Sequence, residues 1–428
     1  MQESFLHYIW QFQYFDKKEL RVSSGEKLEV FRPGVHNLNS GPDFSESKIK
    51  IANIDWAGSV EIHTKASSWH DHHHDTDPAY EKVVLHVVWI NDKEVLRSDG
   101  TLIPTLVLEN RVDQSLISRY RKLVENPSSI PCEKLFPGVN GLVKHSMLDK
   151  ALMQRLEAKA SQIEQLLTST NGDWEEVTYQ LLARNFGFKI NFDSFFQLAN
   201  SVPRRTLLKH GDNLTQIEAL LYGQAGFLDF GLKDEYFKVL QREYKVLSSK
   251  YGLTNQKLKR ENWKFLRLRP ANFPTIRIAQ FSSLFFKHRN FFSKLIEAKT
   301  ESQVRDLFQV STSDYWHTHY RFGRKTVRSI SNIGTESINN LIINTVAPLL
   351  VAYGQNQDDQ AMIDRAVQLL NSVKAEKNKI TKTWSDIGFE VKNAFDSQGL
   401  IELNNNFCLK RRCLACNIGI AILKPGTK

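Results

Sequence analysis

The amino-acid sequence predicts an α+β fold in which a mixed β-sheet precedes a mainly helical region. Short stretches that alternate apolar and polar residues fill much of the first hundred positions, as half-buried strands do. Beyond about residue 112, apolar side chains recur at helical spacing, and three of the four cysteines lie near the C-terminus. We therefore predict an α/β domain over residues 1–111, a basic helical domain over 112–400 and a cysteine-containing tail over 401–428.

The first region is predicted to contain one helix followed by strands. The helix covers "ESFLHYIWQFQYF", in which Phe5, Ile9 and Phe12 recur at helical spacing. The predicted strands, in chain order, are "KLEVFRPG", "SKIKIANI", "WAGSVEIHTK", "EKVVLHVVWIND" and "GTLIPTLVLEN". The fourth of these has a long valine-rich run, which is typical of a strand in the centre of a sheet.

The second region is predicted to be helical. Leu148, Leu152 and Leu156 form an apolar stripe on one helix, Asp173 is placed to cap a second helix, and Gly252 ends a third. The most apolar run, "INNLIINTVAPLLVAYG", is interrupted by three asparagines and a proline. We interpret it as a buried helix that is too short and too polar to cross a membrane.

The net charge of the chain is +10, which favours polyanionic partners, and nucleic acid is the commonest of these. The first residues lack the basic start and the small-residue cleavage site of a secretory signal. We therefore expect a cytoplasmic protein that binds nucleic acid and has no membrane partner. The sequence contains no phosphate-binding glycine loop and no nucleophile-elbow serine, which disfavours nucleotide hydrolysis and serine hydrolase chemistry.

One predicted hairpin gathers acidic side chains. Because side chains alternate along a strand, Glu61, His63 and Lys65 point to the face opposite Val60. The "ANID" turn between two antiparallel strands could bring Asp43 beside Glu61. Two carboxylates that converge repel each other unless a cation lies between them, and oxygen ligands suit Mg²⁺ or Mn²⁺.

The same residues carry a resemblance to a known superfamily. Pro42-Asp43 followed by Glu61-x-His63 resembles the motif of the PD-(D/E)XK nucleases, and the order of helix and strands is similar to their common core. The resemblance implies that Asp43 and Glu61 hold the divalent metal and that His63 stands at the position of the motif's lysine. A neutral imidazole could act there as a general base or as a ligand, but it could not supply a fixed positive charge. Lys65 points to the same face and could substitute for that lysine.

The whole chain also resembles an uncharacterised bacterial family of unknown function. The stretches that carry this resemblance are "NSGPDF", "VEIH", "DPAY", "LHVV", "RPANFP" and "CLACNIG". They span most of the chain, and the resemblance implies no known activity.

A run of histidines follows the predicted hairpin. In "WHDHHHDTDPAY", His72 and His74 share a face if the segment is extended, and Asp77 follows closely. Together with His63 they could form a zinc or manganese site of mixed nitrogen and oxygen ligands. The alternative is a polar loop that leads into a helix, with Asp77 as its cap and a proline at its first position. His86 lies in an apolar strand, and we interpret it as a core histidine.

The segment from Gln256 to Arg289 is strongly basic, with nine cations and a single acid. Four of its cations are predicted to contact nucleic-acid phosphates: Lys264, Arg267, Arg269 and Arg277. Aromatic residues are interleaved with them and could stack on bases. Alternatively the aromatic residues belong to the core and the cations are merely solvated.

The cysteines have a spacing that is typical of metal ligands. Cys408, Cys413 and Cys416 follow the pattern C-x4-C-x2-C, and Cys132 could supply a fourth thiolate. Such a set could hold zinc or an iron–sulfur cluster. The alternative is four reduced thiols, some of them buried as small apolar residues.

Three hypotheses for function follow from these patterns. The first is a Mg²⁺- or Mn²⁺-dependent nuclease that cleaves phosphodiesters by metal-activated water. The second is a non-catalytic, metal-stapled scaffold that binds nucleic acid or protein. The third is a metal-dependent hydrolase built on His63, His72 and His74.

Overall fold

The computed structural model describes residues 2–37, 39–326 and 332–424 of the chain. The predicted α+β class is confirmed: a curled mixed sheet in the N-terminal part is followed by a mainly helical region. The chain divides into two compact units. The first comprises residues 1–147 together with 403–428, and the second comprises residues 148–402.

The first unit contains six strands and several helices. Its strands are β1 (Leu28–Arg32), β2 (Val35–His36), β3 (Phe44–Ile51), β4 (Ile54–Lys65), β5 (Val83–Ile90) and β6 (Thr105–Val107). Its helices are α1 (Glu3–Phe12), α2 (Ser68–Asp71), α3 (Gln114–Val124) and the start of α4 (Gly141–Ser169). A last helix, Asn417–Leu423, lies close to the C-terminus.

The strands form one sheet in the order β1-β3-β4-β5-β6, and β2 pairs with β3 beside this path. The pairs β1–β3, β2–β3 and β3–β4 are antiparallel, whereas β4–β5 and β5–β6 are parallel. Every residue from 83 to 88 on β5 is buried, which confirms the interpretation of this valine-rich run as a buried strand.

Close packing between β4 and β5 depends on one glycine. A Cβ atom built at Gly58 would lie 2.5 Å from the backbone oxygen of Lys82 and 2.5 Å from a methyl group of Val84. Neither atom leaves room for a side chain, so glycine lets the two strands approach at this point. The parallel pairing of β4 with β5 begins beside this glycine and continues along both strands through Glu61 and His63.

The division into units differs from the predicted domain boundaries. We placed residues 112–147 in the helical domain and made residues 401–428 a separate tail. The structure instead groups 112–147 and 403–428 with the sheet. Two hydrogen bonds join the C-terminal segment to residues 112–147. Arg411 donates to the backbone oxygen of Asn126, and Arg119 donates to that of Leu423. Hydrogen bonds between positions so distant in sequence leave no periodic signal.

In its described residues the second unit is helical apart from a two-stranded hairpin, β7 (His319–Arg321) and β8 (Arg324–Lys325), and it includes most of α4. The helices of its first half are α5 (Trp174–Phe186), α6 (Phe188–Ser201), α7 (Arg204–Leu208), α8 (Leu214–Gln224), α9 (Glu235–Tyr251) and α10 (Pro274–Lys287). Those of its second half are α11 (Phe291–Glu297), α12 (Glu301–Leu307), α13 (Tyr315–Thr318), α14 (Thr335–Leu341), α15 (Ala347–Gln357), α16 (Gln360–Ser372), α17 (Lys379–Asp386) and α18 (Ala394–Glu402).

Several predicted helix ends in this unit are confirmed. The Asp173 side chain accepts hydrogen bonds from the first-turn amides of α5, and Gly252 ends α9 in the left-handed conformation. The apolar run forms one continuous helix, Thr335–Gln357, and 78% of its most apolar 18-residue stretch is buried. Its 23 residues make it longer than we predicted, so its length alone would allow it to cross a membrane, whereas its burial is that of a core helix.

Glu218 is a buried acid in the core of the second unit. Tyr236 and Ser313 donate to its two carboxylate oxygens at 2.6 and 2.9 Å. Burial raises the pKa of Glu218 to about 7, and the two hydrogen bonds offset only part of this rise. Between pH 4.5 and 7 the folded chain therefore binds more protons here than the unfolded chain does, so its stability falls as the pH rises.

We expect Glu218→Gln to remove this pH dependence. The free energy of unfolding of the wild-type protein should fall by about 2–3 kcal/mol more than that of the variant between pH 5 and pH 8. Denaturant unfolding at the two pH values measures the difference. Glu261→Gln, which changes an exposed acid in the same unit, is the matched control. A variant that keeps the wild-type slope would contradict the account of Glu218.

Candidate metal centre

Asp43 and Glu61 meet at one end of the β3–β4 pair. Because Phe44 pairs with Val60, the residues beside them, Asp43 and Glu61, stand opposite each other. The amide of Asp43 donates to Glu61 Oε2 at 3.0 Å, and the amide of Ile62 donates to Asp43 Oδ2 at 3.0 Å. Each carboxylate is thus oriented by the neighbouring strand's backbone, and Glu61 Oε1 stays available for another partner.

His63 is held on the same face of β4 by a second histidine. Its Nδ1 lies 2.8 Å from Nε2 of His86 on the parallel strand β5. His86 is fully buried, and its ring packs edge-on against Trp69. If His63 Nδ1 carries the proton of this hydrogen bond, Nε2 is left with its lone pair for a metal. We interpreted His86 as a core histidine, and the structure adds that it positions His63.

The histidine run folds over this face as helix and turns. We assumed an extended segment for His72 and His74, and that assumption is wrong. Residues 68–71 form the short helix α2, and His73 adopts a left-handed conformation with φ of 60°. The change of chain direction at His73 turns the rings of His72 and His74 toward His63. Alternation along an extended segment would not have brought both rings there. The His74 ring also stacks on Tyr80 at 3.7 Å.

Three imidazoles and one carboxylate converge where these elements meet. His63, His72 and His74 each offer a ligand atom within 4.8 Å of the others, so the cluster could hold a metal ion. His63 Nε2 lies 3.2 Å from His72 Nδ1 and 3.6 Å from Glu61 Oε1, which is also 3.3 Å from His74 Nε2. Two ligands at about 2.0–2.1 Å from a tetrahedral zinc lie about 3.3 Å apart, which matches the separation of the His63 and His72 nitrogens. Glu61 lies beside the three imidazoles and is not part of the group that could hold the ion.

Within the described part of the chain, His74 Nε2 is buried and has no hydrogen bond of regular geometry. It approaches Glu61 Oε1 closely, but off the direction that an N–H group would need. A buried nitrogen without a hydrogen-bond partner is costly in a folded protein, and a metal ion would satisfy it. His72 is exposed, so the cluster opens to solvent on that side.

Burial sets the protonation state of His63 and His86. It lowers the pKa of His63 to about 2 and that of His86 to about 3, with the neighbouring histidines adding to the effect on His63. Both rings are therefore neutral at neutral pH, which is the form that binds metals. Burial raises the pKa of Glu61; His74 counteracts part of this rise and the charge of Asp43 adds to it.

Helix α1 supplies two residues that sequence analysis missed. His7 Nε2 lies 3.2 Å from Asp43 Oδ2, and the charges of Asp43, His72 and His74 all act on Glu3. Burial lowers the pKa of His7, but its contact with Asp43 outweighs this and the net pKa is raised. Glu3 and His7 are four residues apart on one helix and so share a face. That spacing was the available signal, but nothing in the sequence showed that this face covers the sheet.

The remaining residues predicted for this site have other surroundings. Asp77 caps the turn Pro78–Tyr80 by accepting from the amide of Ala79, as in the alternative interpretation, and it lies outside the cluster of His63, His72 and His74. Lys65 is exposed at the end of β4, where its charge acts on Asp92. The roles predicted for Asp43, Glu61, His63 and Lys65 in catalysis stay predictions.

The four predicted phosphate-binding cations lie in the second unit and differ in exposure. Lys264, Arg267 and Arg269 are exposed. Arg277 is buried, and its guanidinium donates to the side chains of Gln280, Asn272 and Ser337. Of the aromatic residues interleaved with the cations of this basic segment, Trp263 is buried and donates to the backbone oxygen of Ala225. Trp263 therefore belongs to the core and is not free to stack on bases.

Cys132, Cys408, Cys413 and Cys416 are all buried and line one cavity of the first unit. None of the four forms a disulfide. Burial raises the pKa of Cys132 to about 12, and the thiols of Cys416 and Cys413 add to this rise. The four cysteines therefore lie around one cavity.

Comparison with family models gives one match. Residues 3–379 match the model described as "Protein of unknown function (DUF2851)". The chain belongs to this family. The match covers most of the sequence and confirms the predicted membership of an uncharacterised family. Comparisons with curated proteins and with solved structures found no match. The resemblance to PD-(D/E)XK nucleases accordingly stays a prediction.

Proposed function

We propose that this protein is a zinc-dependent hydrolase and that His63, His72 and His74 hold the metal. The observation that carries the proposal is the convergence of three imidazole nitrogens within 4.8 Å of one another, beside the carboxylate of Glu61. Three protein ligands and a fourth position open to water distinguish catalytic from structural zinc sites. The exposure of His72 supports an open position.

Glu61 is the residue we propose as the general base. Its Oε2 is fixed by the amide of Asp43, so that Oε1 faces His63 and His74 at 3.6 and 3.3 Å. A water molecule beside the metal would lie within hydrogen-bond reach of Oε1, which could then accept its proton. The metal would lower the pKa of that water and polarise the bond to be cleaved. The backbone amide of Asp43 keeps Glu61 in place, while the Ile62 amide and His7 orient the Asp43 carboxylate.

The substrate class we propose is a nucleic-acid phosphodiester. The net charge of +10 supports a polyanionic substrate. The exposed side chains of Lys264, Arg267 and Arg269 support contacts to backbone phosphates, in keeping with the first hypothesis from sequence. The proposed metal differs from that of the first hypothesis, because nitrogen ligands favour zinc over Mg²⁺ or Mn²⁺.

Metal-dependent cleavage of a substrate panel tests this proposal. The panel comprises single- and double-stranded DNA, RNA, bis(4-nitrophenyl) phosphate and, as a control, 4-nitrophenyl acetate. We expect cleavage of at least one phosphodiester, its loss after chelation and its recovery when zinc is restored. A zinc-loaded protein that cleaves none of them would contradict the proposal and favour the non-catalytic scaffold.

A separate prediction concerns binding of nucleic acid. We expect the double change Arg267→Asp and Arg269→Glu to weaken binding and to flatten its salt dependence, because phosphate contacts release counterions. Aspartate is chosen for Arg267 because that residue has a φ of 63°, which aspartate tolerates. Fluorescence anisotropy over a salt series measures both effects.

The matched control for this prediction is Lys245→Glu with Lys250→Glu, which makes the same change in charge on exposed residues of α9. Equal loss of binding in both double variants would mean that net charge alone is responsible. Salt-insensitive binding by the wild-type chain would count against phosphate contacts altogether.

A further inference from the structure

Four cysteines from two distant segments meet in the first unit. Cys132 follows α3, whereas Cys408, Cys413 and Cys416 lie in the C-terminal segment between residues 403 and 417. Each has 6–8% of its surface exposed, and all four line one cavity with Leu123, Pro131, Phe407, Arg412 and Gly419. Single buried cysteines are common as small apolar residues. Four cysteines that line one cavity from two separate segments are instead arranged as metal ligands are.

The backbone around these cysteines is fixed by contacts of its own. Arg411 donates to the backbone oxygens of Cys408 and Asn126 and so ties the C-terminal segment to the loop that precedes Cys132. A Cβ atom at Gly419 would lie 2.2 Å from the backbone oxygen of Cys413, so only glycine permits this approach. The amide side chain of Asn417 donates to Ser146. The cavity is therefore preformed.

The spacing of the sulfur atoms distinguishes between two kinds of centre. Within the described part of the chain, no three of these sulfurs lie within 4.8 Å of one another. Sulfurs bound at about 2.3 Å to one tetrahedral zinc would lie about 3.8 Å apart. Four cysteines around a cluster of several atoms stand farther apart. The sulfurs are therefore too widely spaced for one preformed zinc site, which leaves a cluster as the alternative.

We propose that Cys132, Cys408, Cys413 and Cys416 bind an iron–sulfur cluster that fastens the C-terminal segment to the loop preceding Cys132. Four cysteine ligands are the usual set for [2Fe–2S] and [4Fe–4S] clusters, and C-x4-C-x2-C is a spacing that such clusters accept. The role is structural, because the cavity is lined mainly by apolar groups and the four cysteines and lies between segments that are distant in sequence.

Iron and acid-labile sulfide in the anaerobically purified full-length protein test the proposal. We expect them in equal amounts, at roughly two or four per chain, with broad visible absorption that bleaches on reduction. Zinc bound by sulfur without iron, or a chain whose thiols all react freely and which takes up no iron and sulfide on reconstitution, would overturn the proposal.

Variants locate the cluster. Cys132→Ser should reduce iron and sulfide to background and lower the melting temperature. Leu123→Ala, which removes an apolar side chain from the same cavity, should lower the melting temperature while keeping the full iron content. Equal iron loss in both variants would overturn the assignment of ligands. His74→Phe should keep the cluster, so the outcome is separable from that of the zinc-dependent hydrolase.

Discussion

Replacement of Glu61 by glutamine is expected to reduce the rate of hydrolysis by about 10²–10⁴-fold while zinc stays bound. Glutamine keeps an oxygen that can accept from the amide of Asp43, so the local fold should persist. It cannot take up a proton as a carboxylate does. Single-turnover kinetics combined with zinc analysis of the same preparation measure both properties.

Glu81→Gln is the matched control for that prediction. Glu81 is an exposed acid of the same unit, and its carboxylate accepts from Ser98. The control should keep wild-type activity. Loss of zinc from Glu61→Gln would instead make Glu61 a fourth ligand, which closes the site and contradicts the role of general base.

Replacement of His74 by phenylalanine is expected to remove both zinc and activity. The phenyl ring can keep the stacking on Tyr80 at 3.7 Å and the edge contact with Trp69, so packing is largely preserved. One of three nitrogen ligands is lost. The zinc affinity should fall by more than the 10–100-fold that loss of an outer-shell partner costs. Competition with a chromophoric chelator measures the affinity.

His70→Phe provides the control within the same histidine run. His70 lies on α2 beside Asp75, with 3.6 Å between the ring and the carboxylate, and is not one of the three clustered histidines. This variant should bind zinc as the wild type does. If His74→Phe keeps full affinity, the cluster of three histidines is not the metal site.

The sequence was sufficient to predict the α+β class and the strand that carries the site. Alternation along β4 placed Val60 and Ile62 on one face and both Glu61 and His63 on the other, as the structure shows. It did not predict that the second face is buried as well. Glu61 and His63 are only 5% and 1% exposed, although a lone hairpin would leave them in solvent.

The parts of the site that the sequence could not predict depend on reversals of chain direction and on contacts between distant segments. The left-handed conformation of His73 aims its neighbours at β4, and a single residue in that conformation has no periodic signature. His7 reaches Asp43 from a helix more than thirty positions away. His86 interrupts an apolar strand as a polar core residue does, and the sequence did not indicate its contact with His63.

The measurement that tests the central claim most directly is zinc-edge X-ray absorption of the zinc-loaded protein. It distinguishes ligands at about 2.0–2.1 Å, which are nitrogen or oxygen, from sulfur ligands at about 2.3 Å. We predict a shell of nitrogen and oxygen with imidazole scattering, which His72→Asn abolishes and His73→Asn preserves. His73 is the adjacent exposed histidine, and asparagine tolerates its φ of 60°. A shell dominated by sulfur, or an imidazole signal unchanged in His72→Asn, would contradict the account.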